Sequence, residues 1–383
     1  MNDLRKFVAP EFVFGTGALN LTGQYAENFG AEKVLVVTDP GVMAAGWCDK
    51  VIENLEASGV TSMVFSDVSS NPKAGEVMAG ADFYLSHGCD LIVAVGGGSP
   101  MDCAKGIGIV SSNGRHILEF EGIDNVTLPG PPLICIPTTA GTSADVSQFA
   151  IINNEKERVK IAIISKAVVP DVALIDPSTT LTMGPYLTAC TGIDALVHAI
   201  EAFVSTAHSS IFDVHAIEAI RLVSRHLLDV IARPDDITLR SELMRASLEA
   251  GLAFSNASLG AVHAMAHSLG GYLGLPHGEC NAILLDHVMD FNFERASDRY
   301  EKIGEAMNMD LRNMTTVEKK RAILSDIARL KKAAGISSSL GDRGARMGDI
   351  PILAEKALKD PCLVTNPRSA NKRDIEVIYE QAL

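Results

Sequence analysis

Short apolar runs alternate with amphipathic stretches through the first half of the chain, then give way to long 3.6-residue periodicity. The runs Phe12–Phe14, Lys33–Thr38, Thr61–Phe65, Asp90–Val95, Pro132–Ile136, Gln148–Ile152, Val159–Ile164 and Val172–Ile175 are rich in Val and Ile, which predicts strands. Between them, Cys48–Ser58, Ala74–His87 and Pro100–Ser112 carry helical spacing. Strand–helix alternation of this kind predicts a mostly parallel, doubly wound sheet. Residues 146–164 have no helix between their strands and predict a hairpin turning near Asn153-Asn154-Glu155. From about Leu181 helical spacing dominates, at Leu187–Ser205, Ile211–Ala232, Leu239–Phe254, Gly260–Leu273, His277–Asp298 and Val317–Ala334. Shorter helices are predicted at Ile350–Leu358 and Lys372–Gln381. The chain therefore divides into an α/β part, residues 1–180, and an all-α part, residues 181–383.

Composition narrows the function classes. With 383 residues and 47% hydrophobic content, the chain can bury a large core. A net charge of −14 argues against nucleic acid or an anionic membrane as partner, since both demand basic patches. Lys319-Lys320-Arg321 lies in a mixed-charge segment and reads as a solvated helix face. The N-terminus lacks the apolar core of a signal peptide, and no apolar run is read as approaching the ~20 residues of a membrane helix. Seven dispersed cysteines without a Cys-x-x-Cys pair suit free thiols in a reducing compartment, hence the cytoplasm.

The helical half carries candidate metal chemistry. Asp194 and His198 are four residues apart, as are His263 and His267, so each pair shares a helix face. His277 follows Gly270-Gly271 and Pro276 and is expected just beyond a helix end. One carboxylate and three imidazoles can hold a divalent cation and leave room for a substrate oxygen. A single helical histidine is ordinarily a surface or hydrogen-bonded residue. His87, His116, His208, His215, His226 and His287 are read that way. Spacing alone does not bring the two halves of the candidate set together.

The α/β half carries candidate nucleotide chemistry. Leu91–Val95 runs into Gly96-Gly97-Gly98-Ser99-Pro100-Met101-Asp102 and then a helix. Glycines there let backbone N–H groups approach a pyrophosphate, and the helix dipole favours it. The same residues also suit a plain strand-to-helix turn. No G-x-G-x-x-G and no Walker lysine is present, which disfavours an ordinary Rossmann fingerprint and a P-loop. Pro137-Thr138-Thr139-Ala140-Gly141-Thr142-Ser143 follows a strand and offers hydroxyls for phosphate or ribose, or makes a polar turn. Asp39, at the end of an early strand, can accept hydrogen bonds from an adenosine ribose and repel a 2′-phosphate. It can equally cap a helix, since Pro40 follows. Asn71, before Pro72, is similarly placed.

These stretches, with Thr191-Gly192-Ile193-Asp194-Ala195-Leu196-Val197-His198-Ala199-Ile200-Glu201-Ala202, His263-Ala264-Met265-Ala266-His267-Ser268-Leu269-Gly270-Gly271 and Leu275-Pro276-His277-Gly278, resemble the iron-dependent (group III) alcohol dehydrogenases over essentially the whole chain. Bacterial short-chain members are the most similar. The resemblance implies a Rossmann-like nucleotide-binding α/β domain followed by an all-α domain, in a dehydroquinate synthase-like architecture. It implies Asp194, His198, His263 and His277 as ligands of Fe2+, in some members Zn2+. It places Asp39, Asn71, Gly97, Gly98, Ser99, Thr138, Thr139, Thr142, Phe149 and Lys160 around NAD. Thr179 stands beside the cofactor where leucine is common. His267 falls near nicotinamide and substrate as the catalytic proton relay, and Phe149, Phe254 and Cys362 line the substrate end. One departure is Ser143-Ala144-Asp145, where Gly-Ser-Glu or Ala-Ser-Glu is usual.

The implied reaction is reversible hydride transfer between NAD(H) and a short-chain primary alcohol, diol or aldehyde, in a homodimer or larger homo-oligomer. An alternative is an NAD- and metal-dependent lyase of the dehydroquinate synthase type. That chemistry needs several basic residues at the site. Between 181 and 281 the Lys and Arg residues are Arg221, Arg225, Arg233, Arg240 and Arg245, none beside a predicted ligand. A further alternative is a non-catalytic metal-binding protein, with a closed shell and no NAD.

Overall fold

Alternate residues of a strand face opposite ways, and here both faces are apolar, so the sheet must be covered on both sides. In the computed structural model, which describes residues 5–336 and 339–383, that is the arrangement found. The chain forms two compact units, Val8–Met183 and Gly184–Leu383, the second joined by the N-terminal stretch up to Phe7.

The first unit holds nine strands: β1 (Glu11–Phe14), β2 (Lys33–Val37), β3 (Thr61–Phe65), β4 (Leu91–Gly96), β5 (Gly122–Ile123), β6 (Leu133–Pro137), β7 (Phe149–Asn154), β8 (Val159–Ile164) and β9 (Val172–Ile175). Its helices are α1 (Thr22–Asn28), α2 (Pro40–Ala44), α3 (Trp47–Ala57), α4 (Ala74–Ser86) and α5 (Gly98–Asn113). Six strands make one parallel sheet in the order β1-β9-β6-β4-β2-β3. Leu35, Val37, Ile92 and Ala94 belong to one core with Val77, Ala81, Met101, Ala104 and Ile107 of α4 and α5. Their neighbours Val34, Val36, Leu91, Val93 and Val95 belong to another, with Ala26, Val51 and Leu55 of α1 and α3. The chain adds β3 on one side of β2 and β4 on the other. That reversal puts the loops after β2 and β4 at a topological switch point, where open α/β sheets take ligands.

The predicted hairpin forms: β7 and β8 pair antiparallel from Phe149↔Ile164 to Asn154↔Val159. Its turn falls at residues 155–158, slightly later than expected, with Arg158 in left-handed backbone at φ 51. The two-residue β5 and the short α1 and α2 were not anticipated, because elements of that length show no readable period.

The second unit comprises α6 (Pro185–Val204), α7 (Ser210–Ala232), α8 (Ile237–Ala257), α9 (Ala261–Leu273), α10 (His277–Asn292), α11 (Ser297–Ala306), α12 (Thr316–Ala333), α13 (Ile350–Ala357) and α14 (Lys372–Ala382). Contrary to the expectation that no apolar run reaches membrane length, α6 is long and apolar enough to cross one. Here it is buried as a core helix, every residue from Thr188 to Val204 being enclosed, against α7, α8 and α10. The single helix predicted over His277–Asp298 is divided. After α10 comes one 3-10 turn at Phe293–Arg295, and Ala296, at φ −138, leaves helical geometry before α11. Gly270 and Gly271 remain inside α9, which is ended instead by Gly274 in left-handed backbone at φ 73. His277 then opens α10, directly after Pro276.

Candidate functional site

Helical spacing assembles the metal-side residues. Asp194 and His198 share one face of α6, His263 and His267 one face of α9, and His277 begins α10. One donor atom each from Asp194, His198, His263 and His277 lie within 4.8 Å of one another. Asp194, His198 and His263 are buried and His277 is half-buried. His277 Nε2 is 4.0 Å from Asp194 Oδ1, and the His198 and His263 rings stack at 4.5 Å. A tetrahedral cation with bonds of ~2.1 Å spaces its donors by roughly 3.4 Å, so a cage of this size fits one ion. Imidazole and carboxylate donors without thiolate suit Fe2+ and Zn2+ alike.

Two of the imidazoles have their Nδ1 atoms engaged by buried carboxylates. His263 Nδ1 is 2.6 Å from Glu201 Oε2, and His267 Nδ1 is 2.7 Å from Asp360 Oδ2. Burial drives the His263 pKa down to about 3, so the ring is neutral near pH 7 and its Nε2 lone pair is available. Asn281, fully buried one turn beyond His277, has Nδ2 at 2.6 Å from Asp194 Oδ1, 3.1 Å from His263 Nε2 and 3.2 Å from His277 Nε2. Its Oδ1 has no hydrogen-bond partner among the described residues. Phe254 stacks on His198 at 4.3 Å, and the backbone N–H of buried Cys362 donates to Asp360 Oδ1 at 2.8 Å. Phe149 belongs to the other unit, at the start of β7.

Glu201, Asn281 and Asp360 received no role from the pattern. Glu201 lies three residues after His198 and Asn281 four after His277, so polar residues at helical spacing from ligands were the available signal. Four of the six histidines read as ordinary have ordinary partners. His87 meets Phe83 O at 2.8 Å, His116 receives Leu118 N, His208 faces Asp213 and His215 pairs with Glu249 at 2.6 Å.

In the first unit, the stretches singled out as nucleotide loops adjoin one another beyond the strand ends. Thr138 N donates to Gly96 O at 2.8 Å, Ser99 Oγ to Ser70 O at 2.8 Å and Thr179 Oγ1 to Pro137 O at 2.7 Å. A Cβ on Gly97 would sit 3.2 Å from Thr139 Cγ2, and one on Gly98 3.1 Å from Thr142 Cγ2. Asn71 is tied in through its carbonyl, which accepts from Ser69 Oγ at 3.0 Å. The next residue's carbonyl, Pro72 O, accepts from Asn153 N at 2.7 Å, and Asn153 faces Lys160 across the hairpin. Lys105, wholly buried, donates to Phe149 O at 2.7 Å and Ser147 O at 2.9 Å. The N-terminus of α5 has no side-chain cap, and the buried hydroxyls of Thr38 and Thr139 have no hydrogen-bond partner among the described residues. Uncapped N–H groups and unanswered hydroxyls fit a phosphate and a sugar. Asp39 realises the capping alternative: its Oδ1 accepts from Gly41 N at 2.8 Å and Val42 N at 3.0 Å.

A switch-point sheet with a glycine loop and a separate helical unit with an Asp-His-His-His cage together define a nucleotide- and metal-dependent enzyme. The chain belongs to the iron-containing alcohol dehydrogenase family: "Iron-containing alcohol dehydrogenase" matches residues 9–177, and "Fe-containing alcohol dehydrogenase family, C-terminal" matches residues 188–383. It is accordingly an NAD-linked, iron-type alcohol dehydrogenase with the dehydroquinate synthase-like fold. The chain is 40% identical over 371 residues to 1,3-propanediol dehydrogenase of Citrobacter freundii, covering 96% of both. It is 36% identical to lactaldehyde reductase of Escherichia coli (strain K12), covering 96% of this chain and 97% of that one. A solved structure of 1,3-propanediol oxidoreductase superposes with a TM-score of 0.96 at 37% identity, over 100% of both chains.

Proposed function

We propose that the protein interconverts short-chain primary alcohols or diols with their aldehydes, with Fe2+ held by Asp194, His198, His263 and His277. Zn2+ is the other cation these donors accept. What supports the ligand set is the approach of its four donor atoms to within 4.8 Å of one another, and this observation carries the reading. The unit Val8–Met183 binds NAD through Asp39, Asn71, Gly97, Gly98, Ser99, Thr138, Thr139, Thr142, Phe149, Lys160 and Thr179. The unit from Gly184 onward is catalytic.

When bound, the metal supplies polarisation of the substrate oxygen, and NAD supplies the acceptor for the hydride. The remaining tasks fall to the chain. His267 takes the alcohol proton on Nε2 in the oxidation and returns it in the reduction. Its ring is held for this through Nδ1 by Asp360 Oδ2 at 2.7 Å. Phe254, stacked on His198, and Cys362, beside Asp360, give the substrate an apolar wall and keep water from the reacting carbon. A wall of this kind favours small, weakly polar alcohols.

The enzyme is taken as a cytoplasmic homodimer or larger homo-oligomer whose partner is a small alcohol or aldehyde, with no nucleic acid and no membrane. The seven cysteines are buried and none is in a disulfide, which supports a reducing compartment.

The test is anaerobic purification, metal analysis, and NADH formation with two- to six-carbon alcohols and diols. About one iron per chain and turnover lost with the metal are expected. Full turnover after complete metal removal would falsify the reading, as would absence of NADH with every alcohol tried. Asp39→Ser, which keeps a capping oxygen while removing the charge, is expected to shift discrimination toward NADP by about tenfold or more.

A further inference from the structure

We propose that Glu201 is the positioning residue of the metal centre, a single buried carboxylate that anchors the helix carrying His263 and fixes the orientation of that imidazole. The inference rests on the ligand assignment above. Glu201 lies on α6, three residues beyond His198 and seven beyond Asp194, and so shares their helix face. Its Oε1 accepts from Val262 N at 2.7 Å, and its Oε2 accepts from His263 N at 3.4 Å and lies 2.6 Å from His263 Nδ1. Those N–H groups open α9, whose N-cap position, Gly260, has no side chain to cap it. A Cβ on Gly260 would sit 2.8 Å from Glu201 Oε1 and 2.9 Å from Asn366 Oδ1, so the carboxylate occupies the place a capping side chain would need. Carboxyl oxygens there accept from donors that the first turn of the helix leaves without partners.

The consequence reaches the cation. An imidazole whose Nδ1 proton is held by a carboxylate keeps Nε2 unprotonated and cannot turn freely. His263 Nε2 is thereby presented beside Asp194 Oδ1 and His277 Nε2, all three within 3.2 Å of Asn281 Nδ2, without needing an ion to order it. Asp194 and His198 come from α6 and His263 from α9, so Glu201 also ties the two ligand-bearing helices together. Glutamine is a poor substitute. Its NH2 would face N–H groups that already point at the carboxylate, leaving donors opposed to donors.

The experiment reads metal binding, not turnover. Wild-type protein and Glu201→Gln, loaded with Co2+, compete with a chromophoric chelator. Affinity about 10–100-fold weaker and an altered Co2+ visible spectrum are expected for the variant. Equal affinity with an unchanged spectrum overturns the proposal. His263→Ala, measured alongside, separates the two readings. If it holds Co2+ at wild-type strength, the ligand assignment fails. If it loses the ion while Glu201→Gln keeps it, only the role of Glu201 fails. Should Glu201→Gln not fold, nitrogen-15 histidine spectra of the metal-free wild type decide. A His263 ring protonated on Nδ1, with that proton protected from exchange, upholds the proposal, and one protonated on Nε2 overturns it.

Discussion

The two units prepare their ligand sites by opposite means. In the first, backbone does most of the work: glycines and small hydroxylated residues leave N–H groups open at strand ends. In the second, the four proposed donors are side chains on three helices, and one of the three rings, His263, meets a buried carboxylate, Glu201, through Nδ1. A site made of backbone tolerates the loss of one side chain but not added volume near it. A site made of side chains fails with any one donor. The sharpest test is His198→Ala. Bound iron should fall to a small fraction of one per chain and turnover by ~10^3-fold or more, since a Lewis acid is worth several kcal/mol. NADH binding, followed by fluorescence, should stay within about twofold, because the first unit is untouched. Full metal content in the variant would break the comparison at its strongest point.

The next largest effect concerns charges that the first unit buries without giving them to a ligand. Asp145 is buried, and burial pushes its pKa from 3.8 up to about 6, against the pull of Lys105. A folded pKa above the unfolded one means that the native state holds the proton more tightly. That contribution is fully present below about pH 4 and is lost as pH rises through about 6. Asp145→Asn resembles the protonated acid at every pH. It should be more stable than wild type at pH 8, by an amount on the order of 3 kcal/mol, with the gap closing near pH 4. Denaturant midpoints at the two pH values measure it. An equal gap at both pH values would show that burial does not govern this acid.

How much of this was legible beforehand differs between the units for the same reason. Periodicity marks which residues of one element share a face. Asp194 with His198, and the strands from Lys33 and Leu91, were therefore visible. It is silent on what lies across the space between elements. Glu201 reaching His263, Asp360 reaching His267 and Asn281 reaching Asp194 all join distant segments, over separations of 62, 93 and 87 residues. The resemblance supplied the ligand set that spacing alone left open. Asp39 shows the other limit. A carboxylate after a strand and before proline suits ribose and helix cap alike, and in the fold one of its oxygens is occupied by the N–H groups of Gly41 and Val42.

Gly98→Ala reverses the logic of His198→Ala. The added methyl would stand 3.1 Å from Thr142 Cγ2, so the glycine loop or the threonine loop must shift by a few tenths of an ångström. A displaced N–H cradle should raise the KM for NAD by about tenfold, equivalent to ~1.4 kcal/mol, while iron content stays at the wild-type level. An unchanged KM would show that backbone spacing there is not what binds the pyrophosphate.

The smallest effect is a gain. Ser143 holds left-handed backbone at φ 51, and its Oγ donates to Gly141 O at 3.3 Å. A residue with a Cβ is strained there by about 1 kcal/mol, which glycine relieves. Glycine also frees the unfolded chain, which takes back roughly half of that gain. Ser143→Gly should therefore stabilise the protein by ~0.5 kcal/mol, a rise of one or two degrees in Tm for a chain of this size. Glycine placed at an ordinary position instead lowers stability by about 0.5–1 kcal/mol. The sign alone thus tells whether the loop next to the nucleotide hydroxyls is kept under strain, and a drop in Tm would show that it is not.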